Sequence, residues 1–330
     1  MERDSHPAMS VVVVTPDCFE TISRTITHLR EQTIRDKLEL VIVGPSTSVL
    51  DGHESELADF RTTRVVEIER IRSLAVANAA GAREANGPVV AFLEGHVYPD
   101  PRWAEALIRA HRQPCAAVGP VVRNANPRSW VSRAEMLIGY GPWLDPAPCG
   151  TVTHLPGHNS SYKRSILHEY DDRLESLLEA ESVLHWDLLA RGYRLCLEPA
   201  AKVSHLNTSL LKSMVEERLR SGRLFAATRA RNWSTLRRLM YAVGTPLVPL
   251  LRFVRILGDL ERSTDPSRFP FAMTPLVLFA LGVDAVGESM GYSLGLGDPQ
   301  ERGLDLQFHR ERHISKHDVK LLESEATPVT

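Results

Sequence analysis

The chain holds no C-x-x-C pair: its four cysteines, Cys18, Cys115, Cys149 and Cys196, lie far apart. That spacing argues against a zinc or disulfide framework, and the four read as reduced packing thiols of a cytosolic protein. The first ten residues lack the basic start and apolar stretch of a secretory signal, which points to a catalytic part that stays in the cytoplasm. The sequence also lacks any run of about 18 uninterrupted apolar residues, which argues against an ordinary single transmembrane helix. Internal repeats and low-complexity segments are absent too. The loop Thr15-Pro16-Asp17-Cys18 is without the glycines and lysine that a nucleotidyltransferase places after its first strand.

What is present is a chain of 330 residues, 43% hydrophobic and 24% charged, enough for one large domain with an appendage or for two modest domains. Its formal net charge of −2 conceals an uneven distribution. Over the first 120 residues strand-like and helix-like runs alternate. Residues 11–14 are a continuous β-branched run of the kind buried on both faces of a parallel sheet. Residues 40–43, 65–68 and 89–93 repeat the pattern. Ile22, Ile26 and Leu29 recur at helical spacing, and residues 75–85 form an alanine-rich helix closed by Asn86-Gly87-Pro88. Alternation of this kind implies parallel βαβ units in an open, layered α/β sheet. Ligands then bind beyond the carboxyl ends of the strands. This places residues 15–17, 44–46 and 94–96 at the mouth of a site. Residues 120–155 read as loops and short elements over the sheet, followed by one helix over 175–190 and a strand at 194–197.

Three features carry chemistry. In Glu94-Gly95-His96 an extended backbone points both side chains the same way, so carboxylate and imidazole can reach one ion. That pair suits Mn²⁺ or another borderline ion better than Mg²⁺, and Gly95 would let the backbone approach a bulky ligand. The competing reading is a polar turn. Glu181 falls on one helical stripe with Leu177, Leu184 and Leu188. There desolvation would raise its pKa and make it usable as a general base, unless it is an edge carboxylate paired with an arginine. His205 extends the apolar row Ala201, Val203, as a core histidine or as a ligand. His158-Asn159, after a turn at Gly157, reads as a polar loop entering a site.

Taken in order, these pieces resemble family 2 glycosyltransferases of the GT-A fold, over roughly residues 9–210. Val11-Val12-Val13-Val14-Thr15-Pro16 is similar to that family's opening strand and nucleotide loop. Glu94-Gly95-His96 stands where the family has Asp-x-Asp, followed by Pro99-Asp100-Pro101-Arg102-Trp103. Gly157-His158-Asn159 resembles the acceptor-side segment, Glu181-Ser182 the Glu-Asp pair, and Val203-Ser204-His205 the closing strand with its metal-side histidine. The family's usual aspartate base is missing, which leaves Glu181 as its substitute. Gly44-Pro45-Ser46-Thr47 replaces the base-holding Asp-Asp-Gly-Ser.

The resemblance implies a GT-A-type, Rossmann-like mixed sheet with flanking helices and a C-terminal helical extension. It also implies an inverting glycosyltransferase that moves a sugar from a nucleotide-sugar donor, a UDP-sugar by preference, to a hydroxylated acceptor: lipid-linked, glycan or small molecule. Glu181 would be the catalytic residue. Thr15, Pro16, Asp17, Gly44, Ser46, Arg83 and Glu94 would bind the donor, and His158, Asn159 and Trp186 the acceptor. Glu94, His96 and His205 would hold a divalent metal, Mn²⁺ or Mg²⁺. The alternatives are a non-catalytic nucleotide-sugar-binding protein of the same fold and, behind it, a nucleotidyltransferase.

The expected organisation is a flexible start at 1–8, a catalytic domain at 9–211, a basic and apolar helical extension at 212–296, and a solvated polar tail at 297–330. From 212 to 238 eight basic residues face two acidic ones. The apolar stretches that follow, 239–251 and 271–283, are too short to span a bilayer. They suit helices lying on the inner face of the cell membrane, or else a dimer interface. With few aromatics to stack bases, the basic strip does not read as a nucleic-acid site.

Overall fold

The computed structural model describes residues 6–262, 271–297 and 300–326; part of the expected flexible start, residues 1–5, lies outside them. Two compact units are present, Met1–Arg123 with Trp143–Ser204, and Asn124–Pro142 with His205–Thr330. In chain order the elements are β1 (Met9–Val14), α1 (Glu20–Arg30), β2 (Leu38–Gly44), α2 (Glu54–Leu57), β3 (Thr62–Glu67), α3 (Leu74–Glu84), β4 (Val89–Leu93), β5 (Val97–Pro99), α4 (Trp103–Ala110) and β6 (Ala117–Asn124). Then come α5 (Trp130–Tyr140), β7 (Gly150–Val152), β8 (Ser161–Lys163), α6 (Arg164–His168), α7 (Leu174–Leu178), α8 (Glu181–Ala190) and β9 (Leu195–His205). The second unit continues with α9 (Leu211–Arg229), α10 (Thr235–Gly244), α11 (Val248–Arg262), α12 (Thr274–Leu294), α13 (Gln300–Phe308) and α14 (Lys316–Ala326).

Among the described residues nine strands make one mixed sheet, ordered β3-β2-β1-β4-β8-β6-β9-β5 with β7 on β9. It is the GT-A-type architecture of a mixed sheet flanked by helices. Strands β1 to β4 pair in parallel, whereas β8 runs antiparallel to β4 and β6. The β-branched runs of β1 and β2 are buried throughout, as a strand covered on both faces requires. Helix α3 starts on Ser73, whose hydroxyl accepts from the Val76 N–H at 3.2 Å. It turns Ala75, Ala77, Ala79 and Ala82 inward, small side chains that allow close contact with β1 and β2. Register then fixes the working edge. Val14 pairs with Val43, Gly44 with Glu67, and Val13 with Leu93, so Thr15, Gly44 and Glu94 leave the sheet side by side.

Several expectations are corrected. Cys115 and Cys196 form a disulfide, with their Cα atoms 6.0 Å apart; β9 returns beside β6 and closes a separation of 81 residues that spacing in the sequence could not reveal. Cys18 and Cys149 are free. Residues 120–155 hold the rest of β6 and helix α5, capped by Ser129. The helix read over 175–190 is two helices, because Ala180 is extended (φ −144°, ψ 96°). Residues 300–326 form α13 and α14 rather than a solvated tail, with Leu306, Phe308, Arg310 and Ile314 buried. The helices also outrun the two apolar stretches: Thr235–Leu260 and Phe271–Leu294 are long and apolar enough to cross a membrane by length and composition.

In the second unit α12 lies along α9. Buried charges are matched there: Glu135 with Arg218 at 2.8 Å, Glu217 with Arg310 at 2.7 Å, and Arg252 with Asp284. Burial pushes the Glu135 carboxyl above its usual range, partly offset by Arg218. Such pairs cost desolvation and fix geometry more than they add stability.

Candidate active site at the carboxyl edge of the sheet

Glu94 and His96 follow β4 directly and are both buried; the imidazole Nε2 lies 3.9 Å from the Glu94 carboxylate. Their loop is held from α1, where the Thr25 hydroxyl lies 2.8 Å from the Gly95 carbonyl and 3.1 Å from that of Val97. A Cβ on Gly95 would sit 3.1 Å from Ile22 Cγ2 and 3.2 Å from the Thr21 carbonyl oxygen. The missing side chain therefore serves packing against α1, not approach by a ligand as the sequence suggested.

His205 is the last residue of β9. One ligand atom from each of Glu94, His96 and His205 lies within 4.8 Å of the others, and all three residues are buried. His205 Nδ1 is 3.0 Å from Asn207 Oδ1. With Nδ1–H donated to that amide, Nε2 keeps its lone pair. A carboxylate and two imidazoles form a donor set that fits a borderline divalent ion.

Glu181 opens α8 as its first residue and is buried. The separate start of α8 explains this setting better than a long stripe does, although Leu177, Leu184 and Leu188 are buried around it. Its carboxylate receives the His158 backbone N–H at 3.0 Å and is ion-paired to the His158 ring Nδ1. Burial alone would lower the His158 pKa; the Glu181 carboxylate outweighs it and raises it to about 9. The ring is therefore an imidazolium at neutral pH.

The turn itself is made by His158, at φ 58°, a left-handed conformation costing a non-glycine residue roughly 1–3 kcal/mol. Gly157, expected to supply that turn, instead makes room: a Cβ there would lie 3.0 Å from Glu181 Oε2. The next residue, Asn159, turns the opposite way. Its Nδ2 donates to Glu94 Oε2 at 2.5 Å, and its Oδ1 accepts from the Glu94 N–H at 3.1 Å. Two consecutive residues thus tie Glu181 to Glu94.

Residues 10–171 match the glycosyl transferase family 2 model. That match covers just under half of this chain. A pre-mycofactocin glycosyltransferase of Mycobacterium tuberculosis is 24% identical over 218 residues, 64% of this chain and 45% of the relative. The chain thus spans just under half the length of the curated relatives it matches. Among solved structures, the mannosyltransferase PcManGT from Pyrobaculum calidifontis, in complex with GDP-Man and Mn²⁺, is 15% identical, covers 91% of this chain and 87% of its own, and has a TM-score of 0.50. A structure of GalNAc-T7 with UDP, GalNAc and Mn²⁺ is 18% identical over 60% of this chain and 43% of that one, with a TM-score of 0.47.

The remaining expected residues fall as follows. Thr15 is buried, its hydroxyl donating to the Cys18 carbonyl at 2.5 Å. Pro16 and Asp17 follow, and Asp17 accepts from the Cys18 N–H and the Thr21 hydroxyl, both at 2.8 Å. Gly44 ends β2, and the Ser46 hydroxyl lies 2.5 Å from that of Ser48. Trp186 is exposed on α8. Arg83 is placed apart from this group. It sits in the last turn of α3, hence at the edge where β4 begins, and pairs with Glu175 at 2.9 Å.

Sequence reasoning missed the His158–Glu181 pair and the support of His205 by Asn207. The His-x-Asn spacing was a visible signal for the second. Two further histidines are structural. Burial lowers His111 to about 4 and His185 to about 3; each bonds a hydroxyl at 2.9 Å, that of Ser161 and of Tyr162 respectively.

Proposed function

We propose that the chain is an inverting, metal-assisted glycosyltransferase that moves a sugar from a nucleotide-sugar donor, a UDP-sugar by preference, to a hydroxylated acceptor. One observation carries the reading: a buried carboxylate at the start of α8 is joined through His158-Asn159 to a Glu-His-His cluster at the carboxyl edge of the sheet. Thr15, Pro16, Asp17, Gly44 and Ser46 line the donor side, where β1 and β2 end. Glu94, His96 and His205 would hold Mn²⁺ or Mg²⁺. A divalent ion there would supply positive charge against the departing nucleoside diphosphate.

Glu181 accepts the proton of the acceptor hydroxyl while that oxygen bonds the anomeric carbon. The opposite bond, to the diphosphate, breaks with its electron pair, and configuration inverts. His158 engages the Glu181 carboxylate and must release one of its lone pairs for the transfer. Asn159 fixes Glu94, and Trp186 on the exposed face of α8 offers an acceptor platform. The Mn²⁺ in the complex of PcManGT is consistent with the metal assignment. In this reading residues 9–211 are the catalytic domain, on the cytoplasmic side, and 212–296 face the inner surface of the membrane.

The engagement of Glu181 by His158 favours a second reading, a protein that binds nucleotide sugar without turnover. Nucleotide release from UDP-, GDP- and dTDP-sugars, with and without Mn²⁺, separates the two. Release that is lost in His96→Ala and Glu181→Gln supports the enzyme. Donor binding without release in the native chain, across a panel of acceptors, supports the binder.

A further inference from the structure

Residues 218–258 contain nine arginines and no aspartate or glutamate. Within this span α10 and α11 run on through a 3-10 segment at Thr245–Leu247, with helical backbone on both sides, as one rod over Thr235–Leu260. One side of the pair is packed, with Thr245 and Ile256 buried and the Ala242 carbonyl accepting from Ser289 of α12. The other side is an apolar ridge. Leu236, Leu239, Met240 and Val243 project from α10 at i, i+3, i+4 and i+7, Leu247 from the 3-10 segment, and Leu250, Leu251 and Val254 from α11. Val243 is 80% exposed and Leu236 71%. Water leaves so continuous a ridge uncovered only at a cost, which marks it as a contact surface.

At one end of the ridge, Ala227, Thr228, Ala230, Arg231, Arg238, Gly295 and Leu296 line a cleft of about 200 Å³. Arg238 reaches the Tyr292 carbonyl with Nε at 2.8 Å, and Arg223 reaches the Gly295 carbonyl at 2.9 Å. Among the described residues none of Arg223, Arg231 and Arg238 has an acidic partner. Beside them Arg237 stacks 4.1 Å over the Trp233 ring, the mixed aromatic and cationic surface that settles at a lipid headgroup boundary.

Helix dimensions decide how such a surface is used. Between Arg238 and Arg252 the uncharged stretch, 239–251, is only 13 residues, about 20 Å of helix. That is shorter than a hydrocarbon core of about 30 Å, although the whole rod is longer. Arg252, in the first turns of α11, is ion-paired inward to Asp284. Arginines at 237, 238, 252 and 255 bound so short an apolar stretch at both ends, which favours a rod lying along a surface.

We propose that the α10–α11 ridge docks in the plane of an anionic phospholipid bilayer and that the Arg231/Arg238 cleft takes a lipid phosphate. The proposal rests on the membrane-facing reading of 212–296 and adds the ligand and its site.

The test is co-sedimentation of the full chain with phosphatidylcholine vesicles, with or without 30 mol% phosphatidylglycerol, at low and high salt. Native protein should partition onto the anionic vesicles and lose that binding at high salt. Arg231→Ala with Arg238→Ala should weaken partition about 30-fold, from the loss of two surface cations. Arg231→Ala alone, at an exposed side chain, should weaken it about fivefold. Leu247→Glu with Leu251→Glu should abolish binding, while donor turnover in detergent is unchanged in every variant.

Partition that ignores the arginines overturns the phosphate site but leaves the membrane-facing reading standing. Equal binding to neutral vesicles overturns the choice of anionic lipid. Absence of partition, with a dimer that Leu247→Glu breaks, overturns both in favour of a second copy. Protection of the cleft by inorganic phosphate without vesicle binding assigns it to free phosphate and overturns the lipid.

Discussion

The contact between His158 and Glu181 makes a prediction whose size can be worked out. Raising the imidazole from 6.5 to about 9 corresponds to at most about 3 kcal/mol. A quarter of the His158 side chain, 26%, is exposed, and solvent screening reduces this to about 1–2 kcal/mol. The sign follows from the direction. Below pH 6.5 the ring is protonated in folded and unfolded chains alike, so the pair contributes fully. The contribution declines as pH rises above 6.5 and is gone above about 9, where both states are neutral. His158→Asn is the perturbation of choice, because asparagine tolerates the left-handed backbone and does not titrate. Urea denaturation of both proteins at pH 6 and pH 10 supplies the measurement. The native chain should exceed the variant by about 1–2 kcal/mol more at pH 6 than at pH 10. An equal difference at both values would show that the pair is not an ion pair in solution and would remove the constraint placed on Glu181.

Three other expectations concern the site and its frame. Glu181→Gln should retain donor binding, measured by calorimetry, while turnover falls by roughly 10²–10⁴; near-native turnover would exclude it as the base. Asn207→Ala should weaken Mn²⁺ binding by about 10–100-fold, seen as a displaced metal titration, whereas unchanged affinity would separate His205 from the metal. Thiol titration of the denatured chain should find two reactive cysteines before reduction and four after, as the Cys115–Cys196 bond requires.

The sheet was legible because burial on both faces leaves an unmistakable mark. The β-branched run of β1 and the bounded run of β4 can form little else, and the strand ends then follow from parallel pairing. Glu94 and His96 were legible for a related reason, since an extended backbone fixes which side chains share a face. What escaped was non-local or was carried by one backbone residue. Nothing near Ala180 in the sequence announces that its backbone becomes extended and restarts the helix at Glu181. The disulfide needs β6 and β9 to be neighbours, a consequence of strand order that local pattern does not contain. In α13 polar residues dominate the count, and only the burial of Leu306 and Phe308 reveals an inner face.

The segment Gly157-His158-Asn159 shows why the site could be half read. Its residue types suggested a polar loop entering a pocket, but their division of labour depends on direction. Gly157 stands against one carboxylate, His158 takes a strained backbone to reach that same group, and Asn159 faces the other. Strain of this kind persists only where the surroundings over-determine it. Here they do so from both sides, since Asn159 is anchored by two hydrogen bonds to Glu94 and His158 by two contacts to Glu181. A ligand that draws Glu94 toward a cation therefore also pulls on the backbone that holds His158 against Glu181. The loop thus joins the position of Glu94 to that of the Glu181 carboxylate through two adjacent residues, each held to its carboxylate by non-covalent contacts.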